Sequence, residues 1–328
     1  VVVLAEAVRK NQQEVAEYVK ASKQSLVNTE KKIQRGTLKN GIQYALYPTS
    51  TRDDKTYATI SIDFGTEKSL FNQGEVLDLM AYLLLRGSDQ YSLQDIADKS
   101  IEAGGGATAN AAGNSITIQI VAKKEKFADY FKFMLEVLKK PKFEQSQFDL
   151  IKSQSLSALD RPYTEPETVA ALTMTRLLET YQPGDLRYHF EPEFSKQQIK
   201  AVTVEQVKTL YQNFFVSNHA QIAITGDYQA KTMLKILQKE FGGWKAQLPY
   251  QRLSSDYQAY PAQKIHALSE QREFGSYQSI LTFPAGANHP DATALIVFSY
   301  ILGDSQLSSR LAQEKKKKNA LVYGFGSN

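Results

Sequence analysis

The chain has 328 residues, which is enough for about two domains with buried cores. Hydrophobic residues make up 42% and charged residues 23%, a balance that excludes a disordered or fibrous protein. There is no cysteine, so disulfides, thiol nucleophiles and cysteine-based metal sites are excluded. The net charge is +4, which is the charge of the four lysines Lys315 to Lys318 alone. Because the rest of the chain is neutral overall, we expect no nucleic-acid binding. No apolar run of roughly 18 residues occurs, so we expect no membrane span.

The first part of the chain changes from a helical to a strand-like pattern. Residues 5–32 are rich in Glu, Lys, Gln and Ala with apolar residues at helical spacing, and we predict a helical linker over 1–35. The sequence then alternates apolar and polar β-formers, which predicts strands at 42–47 and 57–64. Residues 77–85 are apolar on nearly every side and predict a buried central helix.

Further elements complete a first domain. Capping patterns at Ser92 and Thr203 each predict the start of a helix, and the glycines at 104–106 predict a structural turn. Strands are predicted at 115–121 and 220–225, and helices at 127–138, 148–159, 168–180, 207–215 and 231–241. We therefore predict one complete α+β domain over 36–245, followed by a linker at 246–264 that is rich in Pro, Ser and Gln.

Residues 265–328 repeat the order in which the first domain begins. A predicted strand at 278–283 is followed by an apolar helix at 294–302 and by Gly303-Asp304-Ser305. This order predicts the truncated start of a second, similar domain. The chain has no initiator methionine and stops in a strand-like stretch, so we expect it to be part of a longer protein.

The residues alone show no active site. The four histidines, at 189, 219, 266 and 289, do not pair at helical spacing and predict no metal centre. No Gly-x-Ser-x-Gly element is present. Asp78 lies in the apolar helix with Tyr82 one turn later, and we expect a hydrogen bond between them because an unpaired buried charge is costly.

Several segments, taken in chain order, carry a resemblance to a known family. They are Phe64 to Ser69, Gly74, Leu85 to Ser88, Asn110-Ala111, Phe143 to Arg161, Pro166-Glu167, Val202 to Val207 and Ile222 to Asp227. This order resembles that of the insulinase/pitrilysin zinc metallopeptidases. The block 303–328 resembles the opening of the next repeat in the same family. The resemblance implies an α+β fold in which a mixed or antiparallel sheet is packed by helices.

The catalytic motif of that family is missing from the matching positions. Active members carry H-x-x-E-H on the buried helix, where two histidines hold zinc and the glutamate activates water. The five matching positions, counted back from Arg86-Gly87-Ser88, are Asp78, Leu79, Met80, Ala81 and Tyr82. The helix at 148–159, where the family has a third ligand, contains no glutamate, and its one carboxylate is Asp149. The resemblance thus implies no metal and no catalytic residue here, with zinc in a catalytic half elsewhere.

The resemblance also implies a role for such a degenerate repeat. In the family, catalytic and degenerate halves close around a peptide, so the expected partners are a peptide substrate and a catalytic half on the same polypeptide or on a partner subunit. An arginine and a tyrosine of the following repeat reach the substrate beside the zinc. Tyr323 matches the tyrosine, and Lys316, seven positions earlier, stands where arginine is expected. A phenol and a cation can stabilise charge on the scissile carbonyl, although lysine lacks the planar fork of arginine.

A second interpretation stays open at this point. The same fold is used by non-enzymatic scaffold or binding subunits, such as family-like core subunits of respiratory complexes. An H-x-x-E-H motif upstream of Val1 would favour the peptidase, and its absence there would favour the scaffold. The resemblance further implies a periplasmic or secreted location.

Overall fold

The computed structural model describes residues 17, 20, 27–160, 163–189, 191–269, 273–286, 288–305, 308–317 and 326–327. They form two compact units. The first is drawn from Val1–Ser254 and Ala267–Ser276, and the second from Ser255–His266 and Tyr277–Asn328. None of the described helices has the length and apolar character that crossing a membrane requires.

The first unit is built on one six-stranded sheet. Its strands are β1 (Gln34–Thr37), β2 (Gln43–Pro48), β3 (Lys55–Asp63), β4 (Gly106–Ala112), β5 (Ser115–Lys123) and β6 (Ala220–Gly226). Their spatial order is β1-β2-β6-β3-β5-β4, and only β2 and β6 are parallel neighbours. The predicted α+β class with a mixed sheet is confirmed.

Nine helices of the described residues belong to this unit. They are α1 (residues 27–32), α2 (Gly74–Leu83), α3 (Leu93–Glu102), α4 (Phe127–Lys139), α5 (Gln145–Leu159), α6 (Pro166–Leu177), α7 (Pro192–Ala201), α8 (Val204–Phe214) and α9 (Ala230–Phe241). The predicted caps are confirmed, because the side chains of Ser92 and Thr203 accept hydrogen bonds from the backbone N–H groups of Asp95 and Gln206. Of the predicted linker at 1–35, residues 17, 20 and 27–32 are helical and Gln34 already lies in β1.

The two faces of the sheet have different chemistry. Ile60 of β3 and its cross-strand partners Ile118 and Ile222 are each only 1% exposed. Helices α2, α3 and α4 pack against β4 and β5, so the core lies on this side of the sheet. Each fully buried aliphatic side chain contributes about 1.5–3 kcal/mol to folding. Because side chains alternate along a strand, the neighbouring Ser61 and Gln221 lie on the opposite face.

The glycine run at 104–106 closes helix α3 and lets β4 pair with β5. Gly104 has φ 61°, a conformation that glycine adopts without strain. A Cβ on Gly105 would lie 1.8 Å from the carbonyl oxygen of Val121, so only glycine permits this approach. The predicted structural turn is confirmed.

The second unit contains α10 (Ala292–Ser299), a π-helical segment (Tyr300–Asp304) and α11 (Arg310–Lys317). The helix predicted at 294–302 is thus present in α and then π form. The strand predicted at 278–283 is wrong, since the described residues 273–286 contain no strand. A strand requires a hydrogen-bonded neighbour, and the described part of this unit supplies none. Leu281 is 83% exposed as a result.

Candidate functional site on helix α2

Helix α2, which carries the five degenerate motif positions, is central to the first unit. It packs against β4, α5, α7 and α8. Its apolar side chains recur through successive turns, and Leu77, Met80 and Leu83 are at most 2% exposed. The predicted buried helix is therefore confirmed, and its position is fixed by contacts on several sides.

Two of the motif positions lie on the remaining, exposed side of α2. Asp78 is exposed, and Tyr82 is 55% exposed one turn later. Ala81 is only 3% exposed and packs in the core. The expected hydrogen bond between Asp78 and Tyr82 is not formed, so that prediction is wrong. Both side chains reach solvent, and neither therefore needs the other as a partner.

The exposed side of α2 is acidic. Partial loss of hydration raises the pKa of Asp78 to about 6, and repulsion from the Glu75 carboxylate adds to the effect. Burial also raises the pKa of Glu75, and a hydrogen bond with Ser195 of α7 partly offsets it. Asp78 consequently changes charge near pH 6, well above an ordinary aspartate.

Helix α5 supplies no third zinc ligand to this side of α2. It packs against α2 and α7, and its buried side chains are those of Phe148 and Ile151. Asp149 is exposed and accepts a hydrogen bond of 2.8 Å from the Gln145 side chain. Across the described ranges, no three His, Asp or Glu side chains lie close enough together to hold a metal ion. His189 contacts a carboxylate instead, with Nδ1 3.0 Å from Glu179 Oε2.

Arg187 holds the loop that leads from β3 into α2. Its Nη2 donates to Glu67 in that loop at 2.6 Å and to Asp185 at 2.7 Å. The guanidinium also lies 4.3 Å from the centre of the Tyr181 ring. Hydrogen bonding to Arg187 lowers the pKa of the buried Asp185 carboxylate, and both ionic partners raise the pKa of Arg187. This cluster was not predicted, because Glu67 lies 120 residues before Arg187 in the chain.

The two predicted substrate-contacting residues are not tested by this geometry. Tyr323 lies outside the described residues. Lys316 belongs to helix α11, but the structure does not describe its side chain.

Comparison with known proteins finds one family model and several solved structures that are similar to parts of this chain. Residues 201–328 match the family model of the peptidase M16 inactive domain. This match covers 128 of the 328 residues of the chain. The resemblance to the insulinase-like peptidases and their carboxy-terminal half is confirmed. No curated protein matches the chain.

Solved structures of a peptidase domain and of proteases share the fold along most of the chain. A peptidase M16 inactive domain from Pseudomonas fluorescens has TM-score 0.67 at 18% identity, over 89% of this chain and 69% of that one. A protease from Helicobacter pylori has TM-score 0.67 at 16% identity, over 90% and 75%. The periplasmic protease PqqL from Escherichia coli has TM-score 0.57 at 16% identity, over 68% of this chain. The match covers only 25% of PqqL. The chain thus shares the fold of these structures, and its residues 201–328 are similar to the peptidase M16 inactive domain.

Proposed function

We propose that this chain closes a peptide-binding chamber over the catalytic half of an M16 zinc metallopeptidase. The observation that supports the proposal is helix α2, which matches the family's zinc-binding helix in sequence order but bears Asp78, Ala81 and Tyr82 at the ligand and base positions. A domain that keeps the family fold but lacks the zinc ligands and the catalytic glutamate is suited to forming a chamber wall and binding substrate. The catalytic half would be on the same polypeptide or on a partner subunit.

The residues on α2 do not fit zinc. A catalytic zinc site needs three protein ligands from nitrogen, sulfur or oxygen, with an open fourth position. Asp78 offers one carboxylate, the Tyr82 phenol is a poor ligand, and the buried methyl group of Ala81 cannot activate water. No step of the reaction is therefore assigned to this helix, and the zinc belongs to the catalytic half in our proposal.

Tyr323 and Lys316 are proposed to reach the substrate beside that zinc. As the scissile carbonyl is attacked, negative charge develops on its oxygen, and a phenol donor and a cation stabilise it. Lys316 would act as a point charge, without the two-pronged geometry of arginine. The support for both roles is their place in the block 303–328, within the part matched by the inactive-domain model.

A periplasmic location is proposed on the same basis. PqqL, whose fold this chain shares, is a periplasmic protease. The test is the presence of the native protein in a periplasmic extract, with a cytoplasmic marker enzyme as control. Recovery with the cytoplasmic fraction alone would contradict the proposal.

Reconstitution tests the chamber role. The 328-residue chain is assayed with a quenched fluorescent peptide, first alone and then with a catalytic half that carries H-x-x-E-H from the same source. We expect no hydrolysis and no stoichiometric zinc for the chain alone, and chelator-sensitive hydrolysis from the mixture. The catalytic half alone is the control.

Two results would decide against the proposal. Zinc bound stoichiometrically by the chain, or chelator-sensitive hydrolysis without a partner, would show that it is catalytic itself. If no combination with a catalytic half restores hydrolysis, the scaffold interpretation is favoured instead.

A further inference from the structure

A polar cavity of about 650 Å³ opens at one end of the sheet in the first unit. Gln43, Gln221 and Ser61 line it from three adjacent strands, where they form one row in the sheet register. Amide and hydroxyl groups side by side offer both donors and acceptors. The volume lies within the range of ordinary ligand pockets and suits a few peptide residues.

One wall of the cavity is an irregular segment, residues 250–254, that is fixed by three hydrogen bonds. The backbone N–H of Gln251 donates to the Gly65 carbonyl at 2.8 Å, and the Asn114 amide donates to the Gln251 carbonyl at 2.9 Å. Arg187 Nη1 donates to the Ser254 carbonyl at 2.9 Å. The wall is therefore preorganised although it contains no helix or strand.

The charged groups of the cavity differ in whether they have partners. Arg187 is satisfied by two carboxylates, as described above. Asp63 lies near the Tyr250 hydroxyl, and burial followed by the Asp63 charge raises the pKa of Tyr250. Arg252 has neither an ion pair nor a hydrogen bond from its guanidinium within the described part of the chain. Among the described residues that line the cavity, Arg252 is thus the arginine without a carboxylate partner.

An aromatic surface lies beside Arg252. The rings of His219 and Tyr250 pack with centroids 4.8 Å apart, and both residues line the cavity. Such a ring pair can pack against an apolar or aromatic side chain of a ligand. A ligand that suits the whole cavity therefore combines an anionic end, one adjacent apolar group and several amides.

We propose that this cavity binds the carboxy-terminal end of a peptide. The guanidinium of Arg252 pairs with the terminal carboxylate, the rings of His219 and Tyr250 contact the last side chain, and Gln43 and Gln221 bond to the peptide amides. A guanidinium matches the two oxygens of a carboxylate in one plane. A phosphate dianion fits less well, because Arg252 brings a single charge against its two while Asp63 repels it. This inference rests on the proposed function, since it names the part of the chamber that holds a peptide end.

Calorimetric titration with two matched peptides tests the inference. The probes are N-acetylated Ala-Ala-Ala-Phe with a free carboxylate and the same peptide with a carboxy-terminal amide. We expect the free acid to bind the 328-residue chain about ten-fold more tightly, as one charge-assisted bond predicts. Arg252→Gln removes this difference and leaves the affinity for the amide unchanged, whereas Arg252→Lys keeps part of it. Arg52→Gln, at an exposed arginine outside the cavity lining, is the matched control and changes neither affinity.

Each contrary result overturns the inference. The role of Arg252 is contradicted if the two peptides bind with equal affinity or if neither binds. It is also contradicted if Arg52→Gln changes the affinities as much as Arg252→Gln does. Sodium acetate that competes as well as the free-acid peptide shows a simple anion site. Reconstitution separates this inference from the chamber role, because Arg252→Gln can lose carboxylate selectivity in a mixture that still hydrolyses peptides. A mixture without hydrolysis would instead count against the chamber role alone.

Discussion

Arg187 joins Glu67 to Asp185 through one guanidinium, at 2.6 and 2.7 Å, and thereby ties the loop before α2 to a segment 120 residues later. The same guanidinium bonds to the Ser254 carbonyl. One side chain thus positions both the degenerate motif helix and a wall of the polar cavity. The fixed shape of this end of the first unit depends on that charge.

Arg187→Gln is expected to destabilise the protein by about 3 kcal/mol, because Asp185 would remain buried without its cation. The Asp185 side chain is only 5% exposed and cannot recover its hydration by small movements. Urea unfolding, followed by circular dichroism, measures the change in the free energy of unfolding. The matched control is Arg35→Gln, whose ion pair with Glu30 is exposed on both sides and should contribute far less to stability. Equal losses for the two variants would show that burial of Asp185 has no such effect.

Asp78 is expected to make the protein less stable as the pH rises from about 4 to about 6. Its pKa is raised to about 6, so across this range the folded state binds more protons than the unfolded state. Stability is therefore favoured at low pH and is lost as the carboxylate ionises. Asp78→Asn removes this slope and stabilises the protein at pH 8 by roughly 1 kcal/mol, a value reduced because solvent screens an exposed group.

Thermal unfolding at pH 4 to 8 checks the Asp78 prediction. Asp129→Asn is the control of opposite sign, because Lys132 lowers the pKa of Asp129. Its contribution is present above the unfolded pKa and is lost as the pH falls, so this variant is less stable than the native chain at pH 8. A native pH slope that Asp78→Asn leaves intact would show that another group produces it.

Local signals in the sequence predicted much of the fold. Ser92 and Thr203 satisfy helix ends within a few residues, and both caps are present. Strand β4 was not predicted, because Gly and Ala have low β propensity and its pairing with β5 decides its structure. Helix α7 was missed as well, since it begins at Pro192 after an aromatic, irregular segment.

Only those site residues that lie on one helix could be predicted, because their spacing in the sequence locates them. The positions 78, 81 and 82 were found by their distance from Arg86-Gly87-Ser88, and the structure adds that 78 and 82 are exposed while 81 is buried. The cavity is lined by Ser61, His219 and Arg252, which are far apart in the chain. Strand pairing and the path of residues 250–254 place them side by side. Long-range pairing of this kind leaves no periodic signal in the sequence.

The double variant Asp78→His/Tyr82→His is expected to bind zinc weakly. Two histidines at i and i+4 on the exposed side of a helix can ligate one ion, and both positions are accessible here. Zinc at ten times its dissociation constant would stabilise this variant by about 1.4 kcal/mol. Thermal unfolding with and without zinc chloride measures the effect, and Asp78→His alone is the control. If zinc chloride does not raise the unfolding temperature of the double variant, the two side chains do not lie on one face of α2 as described.

Tyr323→Phe is expected to lower the hydrolysis rate of the reconstituted enzyme on the order of 100-fold, the usual cost of losing one donor to a developing oxyanion. The loss should appear in kcat, because the bond strengthens as the carbonyl is attacked. Lys316→Gln should also lower kcat, and Lys316→Arg should keep or raise it, since arginine restores a cation with a planar fork. Tyr57→Phe, at an exposed tyrosine of β3, is the matched control and should leave kcat unchanged. If Tyr323→Phe instead raises KM with kcat unchanged, the phenol binds the ground state and does not stabilise the transition state.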